Sequence, residues 1–142
     1  MPQAMTRPST GPLSLRPDHF TVLSDDLDAT RDFYRALLDF EPGPRPDFSM
    51  GGLWLYANGH PLLHVVERDR LPEPRNGVLD HMAFRGAGEA ELAILRARLD
   101  ARGVEYRLVR TPAPWRQWQI FFTDPNGATV EVDFAAGGEG SA

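Results

Sequence analysis

The sequence has 142 residues, which suits one domain or two small fused modules. Its 42% hydrophobic and 25% charged residues are enough for a packed core, while a net charge of −5 argues against a nucleic-acid partner. The absence of cysteine excludes disulfides, zinc–thiolate sites and thiol catalysis. Residues 1–15 lack the apolar run of a signal peptide, and no segment approaches the roughly 20 apolar residues of a membrane helix. We therefore expect a cytoplasmic protein without a membrane partner.

The first half of the chain predicts a flexible extension over residues 1–15, rich in Pro, Ser and Thr, and then a first module over residues 16–69. A strand over 19–23 precedes capping side chains and a helix that starts at Leu27. The segment EPGPRPDF ends that helix. Two strands follow, over 53–57 and 62–67, and Asn58–Gly59 predicts the turn between them.

The second half of the chain repeats this order. After a linker over 70–77, a second module over 78–134 begins with a strand over 78–85 and continues with a helix over 89–102, which Gly103 ends. Three further strands are predicted: 104–109, 117–123 and 128–134. A turn at Asp124–Gly127 separates the last two, and residues 135–142 form a loose tail. The repeat therefore assigns the order β-α-β-β-β to each half, in an α+β protein, although only two strands are visible after the helix of the first half.

Short motifs recur at matched places in the two modules. Asp18–His19 recurs as Asp80–His81, and the Asn-Gly turn before His64 recurs before Glu131. The four positions that recur in this way are His19, His64, His81 and Glu131. An internal repeat of this kind indicates two copies of one supersecondary unit, packed side by side because neither buries its own sheet.

Alternation along the strands places the four repeated residues on one face. Their immediate neighbours, such as Phe20, Val65, Phe84 and Val132, are apolar and suit the face that a helix covers. If the two sheets curve toward each other, the imidazoles and the carboxylate meet in one cup. Such a set suits Fe, Mn, Co, Ni or Zn and leaves coordination positions open. The alternative is that each histidine is an ordinary hydrogen-bonded residue.

His64 has two possible roles in this site. It either binds the metal as a fourth ligand beside His19, His81 and Glu131, or stands near the metal as a catalytic base or hydrogen-bond donor. Its place in the repeat, on the strand equivalent to that of Glu131, favours ligation slightly. His60 lies in the turn region and is expected to be solvated.

The stretch from Asp18 to Phe134 resembles the vicinal oxygen chelate superfamily, which includes glyoxalases, bleomycin resistance proteins and extradiol dioxygenases. The resemblance rests on DHFTVLSDDLDATRDFYRALLDFEP, LDHMAF and FFTDPNGATVEVDF. It implies paired βαβββ modules that form a cup around a divalent metal, with His19, His81 and Glu131 at the ligand positions. Where the glyoxalase I and methylmalonyl-CoA epimerase relatives have Glu or Gln, this chain has His64. That difference argues against those two activities.

The predicted function is that of a metal-dependent isomerase, lyase or extradiol-type dioxygenase acting on a small molecule with vicinal oxygens. The metal would act as a Lewis acid on those oxygens. The alternative is a small-molecule binding or sequestering protein on the same fold. Three residues are candidates for contact with the substrate: Thr21, which the fosfomycin-resistance relatives share two positions after His19, and Arg85 and Trp118. We also expect a homodimer.

Overall fold

The computed structural model describes residues 11–75 and 77–137. The expectations for residues 1–10 and for 138–142 lie outside this range. Eight strands and two helices follow one another in the order β1 (Phe20–Ser24), α1 (Leu27–Leu38), β2 (Glu41–Gly43), β3 (Gly52–Ala57), β4 (His60–Glu67), β5 (Met82–Arg85), α2 (Glu89–Ala101), β6 (Tyr106–Arg110), β7 (Trp118–Thr123) and β8 (Thr129–Phe134). The predicted α+β fold of two βαβββ modules is confirmed.

Each module contains one four-stranded mixed sheet. The strand order is β1-β4-β3-β2 in the first sheet and β5-β8-β7-β6 in the second. In both, the first strand of the module pairs in parallel with the last, and the remaining pairs are antiparallel. The first strand of each module is therefore an edge strand beside the strand that carries His64 or Glu131.

Local signals explain both helices. Asp26 caps α1, since its carboxylate accepts a hydrogen bond from the backbone N–H of Ala29 at 3.0 Å. Leu92, Leu95 and Leu99 recur at helical spacing on α2, and all three are buried as predicted. Arg102 ends α2 and Gly103 follows with a positive φ of 65°, the conformation that glycine adopts without a steric penalty.

The helix-facing sides of the two sheets share one hydrophobic core. Val22, Leu63, Met82 and Val132 are all less than 10% exposed, which confirms the predicted strand faces. Aromatic rings join the modules within this core: Phe84 of the second module packs edge-on against Phe40 of the first, with ring centroids 5.1 Å apart.

Polar contacts between the modules centre on the turn before β8. The hydroxyl of Tyr34 donates to the carboxylate of Asp124 at 2.7 Å, and the Asn126 side chain donates to the hydroxyl of Thr30 at 2.9 Å. All four residues are buried. The second module is therefore hydrogen-bonded directly to the helix of the first.

Two strands differ by more than two residues from the sequence-based prediction. The segment expected only to break the helix contains β2, a three-residue edge strand that pairs with β3 at Pro42↔Leu55. Proline is tolerated there because an edge strand has one side free of ladder bonds. The strand predicted from residue 78 begins at Met82, where pairing with Val130 of β8 begins, and Val78 is fully exposed.

Candidate metal centre

In the second module, His81 and Glu131 meet on the sheet face that the helix does not cover. His81 Nε2 lies 2.7 Å from Glu131 Oε2, and His81 Nδ1 lies 2.8 Å from Asp80 Oδ2. The second carboxylate oxygen of Glu131 accepts a hydrogen bond from the Gln119 amide at 2.6 Å. One nitrogen of His81 is thus held by the preceding aspartate, and the other faces a buried carboxylate.

Burial perturbs the titration of this pair. Glu131 is only 4% exposed, and its burial, assisted by the carboxyl group of Asp133, raises the pKa of Glu131 to about 7. The pKa of His81 is raised in turn, chiefly by the hydrogen bond to Asp80 and further by Glu131. A carboxylate kept this far from water is stabilised by a nearby positive charge, either a protonated imidazole or a cation.

The first module holds its histidine in the same way. His19 Nδ1 lies 2.6 Å from Asp18 Oδ1, and this hydrogen bond lowers the pKa of Asp18. Both Asp-His pairs therefore fix the imidazole through Nδ1 and leave Nε2 for a further partner. Carboxylate–histidine pairs of this type orient metal-binding histidines and make the free nitrogen more basic.

His64 lies between two other rings. Its imidazole stacks on that of His19, with centroids 3.8 Å apart, and on the indole of Trp54 at 3.9 Å, each with an interplanar angle of 11°. Its Nε2 is 3.1 Å from the carbonyl oxygen of Pro61. Burial, followed by the proximity of His19, lowers the pKa of His64.

The stack limits what His19 and His64 can bind together in this arrangement. A ring nitrogen binds a metal through a lone pair that lies in the ring plane. The lone pairs of two parallel rings do not converge on one point, so simultaneous binding of one ion by His19 and His64 requires one ring to turn.

The four predicted residues therefore occur as two pairs, His19 with His64 and His81 with Glu131. Within residues 11–75 and 77–137, no three side chains of the His, Asp or Glu type are grouped closely enough to hold a metal ion. His60 is exposed, and its Nε2 lies 2.5 Å from the backbone oxygen of Asp18.

The three predicted substrate contacts have different surroundings. Thr21 is exposed on β1 and pairs in register with His64. Arg85 donates to the amide oxygen of Gln117 at 3.2 Å, and the indole N–H of Trp118 donates to Glu89 at 2.9 Å. Thr21 is therefore adjacent to the first pair, whereas Arg85 and Trp118 already have local partners.

Sequence reasoning missed the supporting residues of both pairs. Asp18 and Asp80 orient the histidines, and Gln119 fixes Glu131. For Asp18 and Asp80 the sequence contained a visible signal, because an acidic residue directly precedes each repeated histidine. The contact of Gln119 depends on the pairing of β7 with β8, which no local pattern specifies.

The sequence was compared with models of known protein families and with known proteins. A model of the Glyoxalase/Bleomycin resistance protein/Dioxygenase superfamily matches residues 16–132. The chain is 29% identical over 122 residues to Glyoxylase I 4 of Arabidopsis thaliana, covering 81% of this chain and 68% of that protein.

Two solved structures illustrate the similarity of fold. The glyoxylase/bleomycin resistance protein/dioxygenase domain from Frankia sp. EAN1pec is 22% identical, with a TM-score of 0.69, over 92% of this chain and 96% of that one. A variant of the fosfomycin resistance protein FosX from Listeria monocytogenes is 23% identical, with a TM-score of 0.66, over 94% and 96% of the two chains.

Proposed function

Since the chain belongs to the glyoxalase/bleomycin resistance protein/dioxygenase superfamily, we propose that it is a divalent-metal-dependent enzyme that acts on a small molecule with two adjacent oxygens. The observation that carries this proposal is the repeated Asp-His pair. In both modules the aspartate holds Nδ1, and in the second module Nε2 faces the buried carboxylate of Glu131.

The donor set suits the metals expected from the sequence. His19, His81 and Glu131 would supply two imidazole nitrogens and one carboxylate, a combination that binds Fe, Mn, Co, Ni or Zn and leaves positions open for substrate. The related FosX structure was solved with Mn(II) and 1S,2S-dihydroxypropylphosphonic acid, which makes Mn(II) the first ion to test. When bound, the ion would polarise the two oxygens of the substrate.

His64 is proposed as the base of the reaction. Its Nε2 faces the Pro61 carbonyl, so that nitrogen carries the proton in the neutral ring and Nδ1 keeps the lone pair. Its lowered pKa keeps the ring neutral near pH 7. Ligation through His64 remains the alternative, because turning the ring out of the stack would free it to bind the metal.

The two pairs also support a homodimer. A chain with His81 and Glu131 together needs a third ligand, and His19 of a second copy can supply it. In a twofold dimer the reciprocal contact follows from symmetry, which gives two equivalent sites. Dimerisation would then be required to complete each metal site.

Metal binding tests the ligand assignment. The chelator-treated protein is titrated with Mn(II), and His81→Ala should weaken the affinity at least tenfold while the fold stays intact. His60→Ala is the matched control, because His60 is exposed and is not a proposed ligand. An unchanged affinity in His81→Ala would refute the assignment.

Mixing two defective variants tests the shared site. His19→Ala and His81→Ala should each lose tight Mn(II) binding, but a heterodimer of the two retains one site with all its ligands. About one tight site per heterodimer, and none in either parent, supports the proposal. No recovery on mixing, with heterodimers confirmed by mass spectrometry, would show that the site is not shared.

The reaction class needs substrate tests. Oxygen uptake with catechols would identify a dioxygenase, and turnover of hemithioacetals would identify an isomerase or lyase. Because this chain has His64 where glyoxalase I has Glu or Gln, we expect no hemithioacetal turnover. If turnover is nevertheless observed, that expectation is wrong. Loss of this turnover in His64→Gln would then still support His64 as the catalytic base.

A further inference from the structure

A cavity of about 180 Å³ lies between the two modules, beside the first strand of each. Phe20 and Val22 of β1 line one part of it, and Met82 of β5 lines another. The segment between β4 and β5 contributes Leu71 and Leu79. The cavity is thus formed by parts of the chain that are far apart in sequence.

The lining surface is mainly hydrocarbon, although six of the fourteen lining residues are polar: Thr21, Arg75, Asp80, His81, Asn126 and Thr129. Asp80 and His81 both line the cavity, and His81 is also the residue whose Nε2 faces Glu131. His81 therefore belongs both to the candidate metal centre and to the cavity wall. A molecule that occupied the cavity would therefore contact His81, whereas Glu131 is not part of the lining.

The cavity is open where Leu79 lines it. Leu79 is 66% exposed, although it is a large apolar side chain in contact with an apolar cavity. An apolar occupant would remove part of this surface from water, which is favourable. The exposed leucine therefore indicates a mouth that a ligand can close.

We propose that this cavity binds the apolar group of the substrate, a hydrocarbon ring or branched chain attached to the two adjacent oxygens. The assignment of the oxygens rests on the proposed function; the assignment of the apolar group rests on the cavity itself. A cavity of about 150 Å³ lined by Leu, Ile and Phe side chains is known to bind benzene. A volume of about 180 Å³ accordingly accepts one substituted six-membered ring.

Toluene tests the cavity without any metal. The protein is labelled with ¹³C at the methionine methyl groups, treated with chelator and titrated with toluene. The signal of Met82, assigned with Met82→Leu, should shift in a saturable way, while that of Met50, which lies outside the lining, should not. A Met82 signal that does not respond, or moves no more than that of Met50, would overturn the inference.

Two neighbouring exposed residues provide a matched pair of variants. Leu79→Lys places a charge at the mouth and should weaken toluene binding at least fivefold. Val78→Lys is the control, because Val78 is fully exposed and outside the lining. Since both residues are exposed, both variants are expected to fold. Equal affinities of the two variants would show that toluene binds elsewhere.

Phenylglyoxylate, a ring with two adjacent oxygens, tests whether cavity and metal hold one molecule. Adding Mn(II) should tighten phenylglyoxylate binding at least fivefold, measured by isothermal titration calorimetry because Mn(II) would broaden the nearby Met82 signal, and leave toluene binding unchanged. An equal effect on both ligands would overturn the assignment to the substrate. Binding of Mn(II) itself is measured by the electron paramagnetic resonance signal of the ion. If Mn(II) does not bind, the proposed function and the substrate assignment both fail. The toluene titration still decides whether the cavity binds an apolar group.

Discussion

Replacing Tyr34 with Phe removes a single hydroxyl from the contact between the modules. Tyr34 is fully buried and Asp124 is 4% exposed, so no water replaces the lost donor freely. Asp124 Oδ1 would keep its bonds from the backbone N–H groups of Asn126 and Ala128, both 2.8 Å. Asp124 Oδ2 would keep only a marginal contact with the Asn126 amide at 3.5 Å. The variant therefore leaves a buried carboxylate oxygen almost without a donor.

The size of the effect follows from that environment. Asp124 accepts from several donors and donates to none, as an ionised carboxylate does. Hydrogen bonds to charged groups contribute about 1.5–3 kcal/mol, and we expect Tyr34→Phe to lower the free energy of unfolding by that amount. For a domain of this size the melting temperature should fall by roughly 5–10 °C.

Urea and thermal unfolding followed by circular dichroism measure this loss. Tyr56→Phe is the matched control, since the Tyr56 hydroxyl donates to the Pro44 carbonyl at 2.5 Å at an exposed position. Water can replace that bond, so the control should lose less than about 0.5 kcal/mol. If Tyr34→Phe were no less stable than Tyr56→Phe, the Tyr34–Asp124 bond would not hold the modules together.

Three other results are expected. Burial raises the pKa of Tyr34 well above its usual value of 10.0, so the unfolded chain loses this proton at a lower pH than the folded chain. The free energy of unfolding of the wild type should therefore fall as the pH rises above about 10. The difference in stability between the wild type and Tyr34→Phe should become smaller over the same range. Phe84→Ala should lower the free energy of unfolding by about 3 kcal/mol in urea, because Phe84 packs against Phe20 and Phe40 but is only half-buried; a wild-type midpoint would show that the strand faces are misassigned. His64→Gln should weaken Mn(II) binding less than His81→Ala does in the same titration, and an equal loss would identify His64 as a full ligand.

The module repeat and the buried faces were predictable because they depend on local periodicity. Leu92, Leu95 and Leu99 mark one face of α2 at helical spacing, and Val130 and Val132 alternate with Glu131 along β8. Each pattern lies within a few residues of sequence. The αL glycine after α2 and the turn before β8 were visible for the same reason.

Features that depend on pairing between distant segments were not predictable. Pro42 and Gly43 favour a loop by local propensity, yet they form an edge strand because they pair with β3. Similarly, alternation gives the face on which His19 or His81 lies but not the angle at which two sheets meet. The convergence of four residues in one cup therefore stays a prediction, while the structure shows two pairs.

The turn before β8 has a consequence for the interchangeability of the two modules. Asp124 and Asn126 reach into α1, whereas the corresponding turn of the first module has an exposed Asn58–Gly59 pair without a carboxylate before it. A chain built from two copies of the first module would repeat Thr30 and Tyr34 but lack their partners. The internal symmetry of this protein therefore does not extend to the contacts between its modules, and each module is specific for its place in the chain.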